Sequence, residues 1–313
     1  MARRRIGQDT LMFSSVGAAR QSTLDKLLEL TDWTPIEWQL RAISCAAKGE
    51  PAWPPLALFK AVLIAVWRDL SDVRLAEALD DRASFRRFCG FSAHEPTPER
   101  TAFVRLRAQL VARGLDHALF EVVTSQLRAK AITVKTGTLV DATVIASASH
   151  ADPEAGWAGY QRRKAIHSFK AHVGADSGTA LVEALCVTPG NVHDGRAGGD
   201  ALPEAPGEVY ADSAYRGPIF GAAVAARRGM PRIVQTGMWG RPGDDTLRKL
   251  RRWNYDIHRV RCRIEKTFGT WKRSYGLRRM RWRGLAKATL QVHLTAIAYD
   301  LRRSLTLLTS PAA

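Results

Sequence analysis

Ala131-Ile132-Thr133-Val134-Lys135-Thr136-Gly137-Thr138-Leu139-Val140-Asp141 is where the texture of this chain changes. Its two apolar runs, Ile132-Thr133-Val134 and Thr138-Leu139-Val140, are short and β-branched, the pattern of strands. Strand signals continue downstream. Ser168 to Ala175 and Thr179 to Thr188 flank Asp176-Ser177-Gly178, a turn sequence, and together predict a hairpin. Glu208 to Ala211 and Arg232 to Thr236 predict two further strands. Helices fit Asp194 to Ala201, Tyr215 to Arg227, Leu247 to Arg273 and Leu285 to Leu305. Upstream the chain reads mostly as helix: Ile36 to Ala47, Leu56 to Asp69 after the break at Trp53-Pro54-Pro55, Val73 to Leu79 capped by Ser71-Asp72, the Phe85/Phe88/Phe91 turn, Thr101 to Arg113 and Leu115 to Arg128. The fold class is therefore α/β, with a mixed-sheet domain over residues 131–313 preceded by an all-helical domain over 1–130.

The 313 residues carry a net charge of +17 with 46% hydrophobic residues. A full core is available, and the charge points to a polyanionic partner. Fourteen Lys and Arg against two acids, Asp256 and Glu265, fall between Leu247 and Arg283, a run too one-signed for a merely solvated face. Membrane-surface binding by this helix is disfavoured, because Gly269 and Gly276 interrupt it and no clean apolar face runs along it. The cysteines Cys45, Cys89, Cys186 and Cys262 form no close pair, so neither a zinc site nor a redox pair is expected and each reads as a reduced, mostly buried thiol. No apolar run of signal-peptide length follows the basic N-terminus and none of membrane-spanning length occurs, so a cytoplasmic protein with no membrane partner is expected.

Three acids stand out. Asp141 and Asp212 each end a strand-like run, Gly137 to Val140 and Val209 to Ala211. Carboxylates on neighbouring strand ends can share hard cations, although a strand-end Asp also serves simply as a turn or cap residue. Glu265 lies on the long basic helix, where His258, Arg261, Glu265 and Lys272 share an arc of about 60°. That face either completes a metal site beside phosphate-binding bases or is an exposed ion-pair ladder in which Arg261 pairs with Glu265. Asp244 and Asp245 read as N-cap residues of the same helix. His193 and Asp194 form a polar cluster that is either site-lining or a helix cap. Lys170 and His172 alternate along a strand and face either the site or solvent. Trp239, Trp253, Trp271 and Trp282 interleave with the bases, and such rings either stack on nucleobases or anchor the core.

With these residues in view, the chain resembles the DDE transposases of insertion-sequence family five, in the ribonuclease-H-like superfamily. The third-acid signature of that family is Tyr-x(2)-Arg-x(3)-Glu-x(6)-Lys, and here the ladder is His258-x(2)-Arg261-x(3)-Glu265-x(6)-Lys272, departing only at His258. The first-acid motif is similar to Val140-Asp141-Ala142-Thr143-Val144-Ile145. The second resembles Tyr210 to Gly217, with Ser213-Ala214 where the family has Lys-Gly. Pro189 to Asp194 resembles a family loop, and Leu70-Ser71-Asp72, Ser84 to Phe88 and Pro98 to Thr101 resemble its helical leader. The likeness spans about Trp33 to Arg303.

The resemblance implies a ribonuclease-H-like catalytic domain in which Asp141, Asp212 and Glu265 bind two magnesium ions, with manganese as a substitute. It implies DNA contacts from His258, Arg261, Lys272, Arg273 and Trp271, with Lys170, His172, His193 and Asp194 lining the site. The partners would be double-stranded terminal inverted repeats and target DNA, bound by a homodimer in the bacterial nucleoid. The competing reading is a non-catalytic sequence-specific DNA-binding protein, or a decayed copy, for which the three acids would be dispensable.

Overall fold

The computed structural model of the chain describes residues 3–7, 21–43, 51–130, 137–160, 163–237 and 243–309. The expected strand at Ile132 to Val134, together with Cys45 and Trp239, lies outside these residues. Contacts divide the chain into two units, Met1–Ala131 with His293–Ala313, and Ile132–Val292. The C-terminal segment, expected in the second unit, belongs by its contacts to the first.

The first unit contains α1 (Thr23–Leu30), α2 (Thr34–Leu40), α3 (Pro55–Trp67), α4 (Asp72–Asp81), α5 (Ala83–Cys89), α6 (Arg100–Ala112) and α7 (Leu115–Lys130). Local chemistry sets several of these ends. The Ser71 side chain accepts from the Arg74 amide at the start of α4, and Gly90 closes α5 in the left-handed conformation. The apolar α3 is buried over most of its length and forms the centre of this unit. Two contacts explain why the chain's last helix returns here. Trp67 donates its indole N–H to the Ala298 carbonyl at 2.6 Å, and His293 Nδ1 lies 2.8 Å from Asp116 Oδ2.

The second unit is built on a six-stranded mixed sheet: β1 (Gly137–Ala146), β2 (Gly156–Tyr160), β3 (Arg163–Asp176), β4 (Val182–Pro189), β5 (Glu208–Ala211) and β6 (Met230–Ile233). The strand order is β2-β3-β1-β5-β6, with β4 also paired to β3. The β3–β4 hairpin is antiparallel, as Asp176-Ser177-Gly178 predicts, and Asp176 Oδ2 accepts from the amides of Gly178 and Thr179. The strand β2 carries no sequence expectation. Its Gly-Trp-Ala-Gly-Tyr composition hides it, because glycines weaken the strand pattern.

Helix α8 (Asp194–Ala197) is one turn, continued by a 3-10 turn at Gly198–Ala201. The helix expected at Tyr215 to Arg227 begins instead at Pro218, as α9 (Pro218–Ala226), since proline favours the first helical turn. The chain then forms α10 (Asp244–Ser274) and α11 (Leu285–Thr309). Gly243 occupies the N-cap of α10, so Asp244 and Asp245 are first-turn residues that favour the positive end of the helix dipole rather than caps.

One face of the sheet packs Val140, Val209 and Ala211 against Leu202, Tyr215, Phe220 and Val224. Gly174 lies on that face opposite Val140, and a Cβ there would collide with the Ala201 carbonyl oxygen. Gly174→Ala is expected to destabilise the protein by about 3 kcal/mol. Gly221→Ala, in the interior of α9 with open space around its Cβ position, is expected to stabilise it by about 0.5–1 kcal/mol. Urea midpoints of the two variants measure both effects, and equal shifts would contradict the packing described.

Candidate active site

The pairing of β1 with β5 positions the first two acids. The strands are parallel, with Leu139 opposite Tyr210. Advancing two residues along each places Asp141 beside Asp212 on one face, just past the end of β5. Asp141 is therefore mid-strand in β1 rather than at its end, and only the pairing with β5 stops there. Asp212 accepts the Ala214 amide at 2.8 Å and caps the 3-10 turn Ser213–Tyr215, so its capping and site-forming readings coexist.

Helix α10 crosses this face. Its buried stripe includes Ile257, Arg261, Ile264, Phe268 and Trp271. Arg261 does not pair with Glu265 along the helix. Its Nη2 donates to Asp141 Oδ2 at 3.0 Å, while Asp141 Oδ1 accepts the Ala142 amide at 2.8 Å. Both side chains are largely buried, at 9% and 17% exposure. Burial raises the Asp141 carboxyl to about 6; Arg261 opposes that shift and the neighbouring Asp212 carboxylate adds to it. Tyr215, fully buried with no partner for its hydroxyl, is held well above the usual phenol range by burial and by the charges of Asp141, Asp194 and Asp212. It thus stays a neutral donor beside the acids. Sequence reading passes over it as a functional residue, and its spacing of three from Asp212 is the only available signal.

The remaining candidates divide. Glu265 is exposed, as are His258 and Arg273, and Lys272 is half-buried with its ammonium pKa lowered by burial and by Arg278. Trp271 is fully buried, packed edge-on against Phe268 at 5.9 Å, so its assignment to DNA stacking is corrected to a core anchor. Trp253 donates to the Ile233 carbonyl at 3.0 Å. Lys170 and His172 pair across β1 with Val144 and Ala142, and strand alternation sets them on the opposite face from Asp141. There Lys170 binds Asp194 at 2.8 Å and the Val192 carbonyl at 2.9 Å. His172 is buried and hydrogen-bonds Thr188, its pKa held down to about 4 by burial, so the ring is neutral. His193 is exposed and caps α8 by accepting the Gly195 amide. Lys170 and His172 thus stand on the sheet face that carries α8, and His193 stands at the start of that helix. Cys89 is buried, but Cys262 is exposed, contrary to the expected burial.

Two carboxylates that raise each other's energy, both offering oxygen donors, suit a hard divalent cation. The positive charge beside Asp141 is instead the Arg261 guanidinium, and no three His, Cys, Asp or Glu among the described residues stand close enough together to hold a metal ion.

A mixed sheet with helices on both faces, and with paired aspartates where two parallel strands meet, defines a ribonuclease-H-like domain of the nucleic-acid-processing kind. The chain matches the Transposase DDE domain over residues 132–301 and a Transposase domain (DUF772) over residues 16–109. It belongs to the DDE transposases, a family that acts on DNA and uses divalent metal ions. No solved structure matches it. No described helix is long and apolar enough to cross a membrane.

Folding raises the Asp141 pKa above its ordinary value, so this group favours the folded metal-free protein as pH falls through about 6 and costs stability above that pH. Protonation also removes a cation ligand. Manganese affinity, read by isothermal titration, is expected to fall about tenfold per unit below pH 6 and to lose that dependence in Asp141→Asn. A flat wild-type profile from pH 5 to about pH 7 would contradict this.

Proposed function

We propose that this protein cuts the ends of a mobile DNA element and joins them to target DNA, as a member of insertion-sequence family five. The observation that carries this reading is the pairing of β1 with β5, which brings Asp141 and Asp212 together beneath the most basic helix of the chain. Asp141, Asp212 and Glu265 would hold two magnesium ions, or manganese in their place. Glu265 follows Arg261 by one helical turn, so a modest change in α10 or in its own side chain carries it towards the aspartates. Bound divalent cations would lower the pKa of the attacking oxygen and neutralise charge on the phosphate.

The chain's own groups do the positioning. Arg261 and Lys272 bind phosphates next to the scissile bond, with His258 and Arg273 on the same helix beside them. For Arg261 this means exchanging the Asp141 carboxylate for a phosphate. Water then adds to phosphorus, the bond to the 3′ oxygen breaks, and a free 3′-hydroxyl results. That hydroxyl attacks a target phosphodiester, forming one P–O bond and breaking another. The helical unit recognises the terminal inverted repeats, and two copies of the chain hold two ends in a dimer on DNA.

The test is cleavage and strand transfer on DNA carrying the element's own ends, with magnesium. Asp141→Asn, Asp212→Asn and Glu265→Gln are each expected to lower cleavage by at least about 100-fold, the scale of several kcal/mol of lost charge stabilisation, while leaving DNA affinity within about threefold. Full activity in Glu265→Gln would remove that residue from the triad. Wild-type DNA binding with no cleavage under any divalent cation would favour the non-catalytic binder.

A further inference from the structure

A second feature lies at the far end of β3, away from the two aspartates. The β2–β3 hairpin carries Trp157, which is 57% exposed. Its ring stacks on His150 at 6.1 Å and 18° between planes, and lies 5.1 Å from the His167 ring. His167 is buried, and its Nδ1 lies 3.3 Å from the Ser149 carbonyl oxygen, so the base of this stack is fixed. Trp157 pairs with His167, and alternation along β3 puts both on the face that Val173 shares with Asp141. Six residues separate His167 from Val173, which is about 20 Å of strand, or roughly six nucleotides of stacked duplex.

Cations line the way between these points. Lys272 and Arg278 meet at the end of α10, where Arg278 Nε donates to the Lys272 carbonyl at 3.2 Å. The segment after the helix then bonds to the end of β1, with Met280 donating to the Ala146 carbonyl at 2.7 Å. Arg279 donates to the Ser147 and Ala148 carbonyls at 3.0 and 2.8 Å, two residues before His150. At the start of β3 the exposed Lys164 adds a further cation. A half-exposed tryptophan with the His150 ring stacked on it and the buried His167 ring tilted against it is an unfavourable surface for water, and the charge around it selects an anionic partner.

We propose that Trp157 is a stacking platform for a nucleobase of the DNA whose phosphates run along Lys272, Arg278 and Arg279 from the aspartate site. The inference rests on the transposase reading above for which DNA is bound. It commits to an unpaired or splayed base, because only such a base offers a free π-face to an edge-strand ring. The chemistry is sequence-tolerant, since every base can stack.

The test uses the full chain without divalent cation, so that no cleavage is required. Single-stranded and duplex oligonucleotides of mixed sequence carry one 2-aminopurine, whose emission is quenched on stacking. Wild type is expected to quench the single-stranded probe and to bind it about 10- to 100-fold more tightly than Trp157→Ala does. Trp157→Phe is expected to recover most of the quenching and affinity, which separates stacking from a folding defect. Equal affinity and quenching in Trp157→Ala would overturn the proposal. So would a Trp157→Ala variant that changes the solution mass of the protein while leaving both DNA readouts intact, since the ring would then serve contact between copies. Quenching lost in Trp157→Ala but cleavage absent in wild type would retain the platform and reject the transposase mechanism. Cleavage with indifferent Trp157 would do the reverse.

Discussion

The parallel contact between β1 and β5 is the constraint on which the catalytic unit depends. Parallel neighbours cannot be joined by a tight turn. The chain therefore leaves β1, runs through β2, β3, β4 and α8, and returns to lay β5 against β1's free edge. That detour has two results. It brackets β1 with antiparallel β3 on one side and parallel β5 on the other, and it delivers Asp212 to the point where Asp141 waits. Asp141 and Asp212 are far apart in sequence, and only this return makes them neighbours.

Once the acids are together, electrostatics governs the site. The neighbouring Asp212 carboxylate repels Asp141, and burial penalises the Asp141 charge. The fold answers with Arg261 from the buried stripe of α10. Removing one partner of such a pair leaves an uncompensated charge, so the ion pair holds α10 against the sheet as well as neutralising Asp141. In the proposed reaction the same guanidinium would take a phosphate in place of Asp141. A residue that neutralises the acid in one setting and the substrate in another links occupancy of the site to the placement of the helix. The opposite face of the sheet does quieter work. Lys170 of β3 binds Asp194 of α8 there, and His172 bonds Thr188 of β4 while its buried Nδ1 has no partner among the described residues.

The helical ladder was legible because its periodicity is local: His258, Arg261, Glu265 and Lys272 fall on one face of any helix that forms there. So were the β3–β4 hairpin, written in its turn residues, and the change from helix to strand near residue 131. The face on which each strand residue lies was not legible. Lys170 and His172 alternate with apolar neighbours just as site residues would, and the register with β1 alone sends them to the other side. Trp271 shows the same limit on a helix. Its place among arginines suggests a nucleic-acid contact, yet its angular position belongs to the buried stripe, and burial won.

By itself, then, the sequence determined the class of most elements outside α1 and β2, the basic helix and its ladder, and the two aspartate motifs, because each depends on neighbours within a few residues. Tertiary structure alone decided that Arg261 answers Asp141 rather than Glu265, that Tyr215 is buried beside the acids, that Lys170 and His172 face away, and that the last helix returns to the first unit. Each of these depends on pairing or packing between segments tens to hundreds of residues apart. Local pattern carries no information about which distant partner will complete a charge or cover a face.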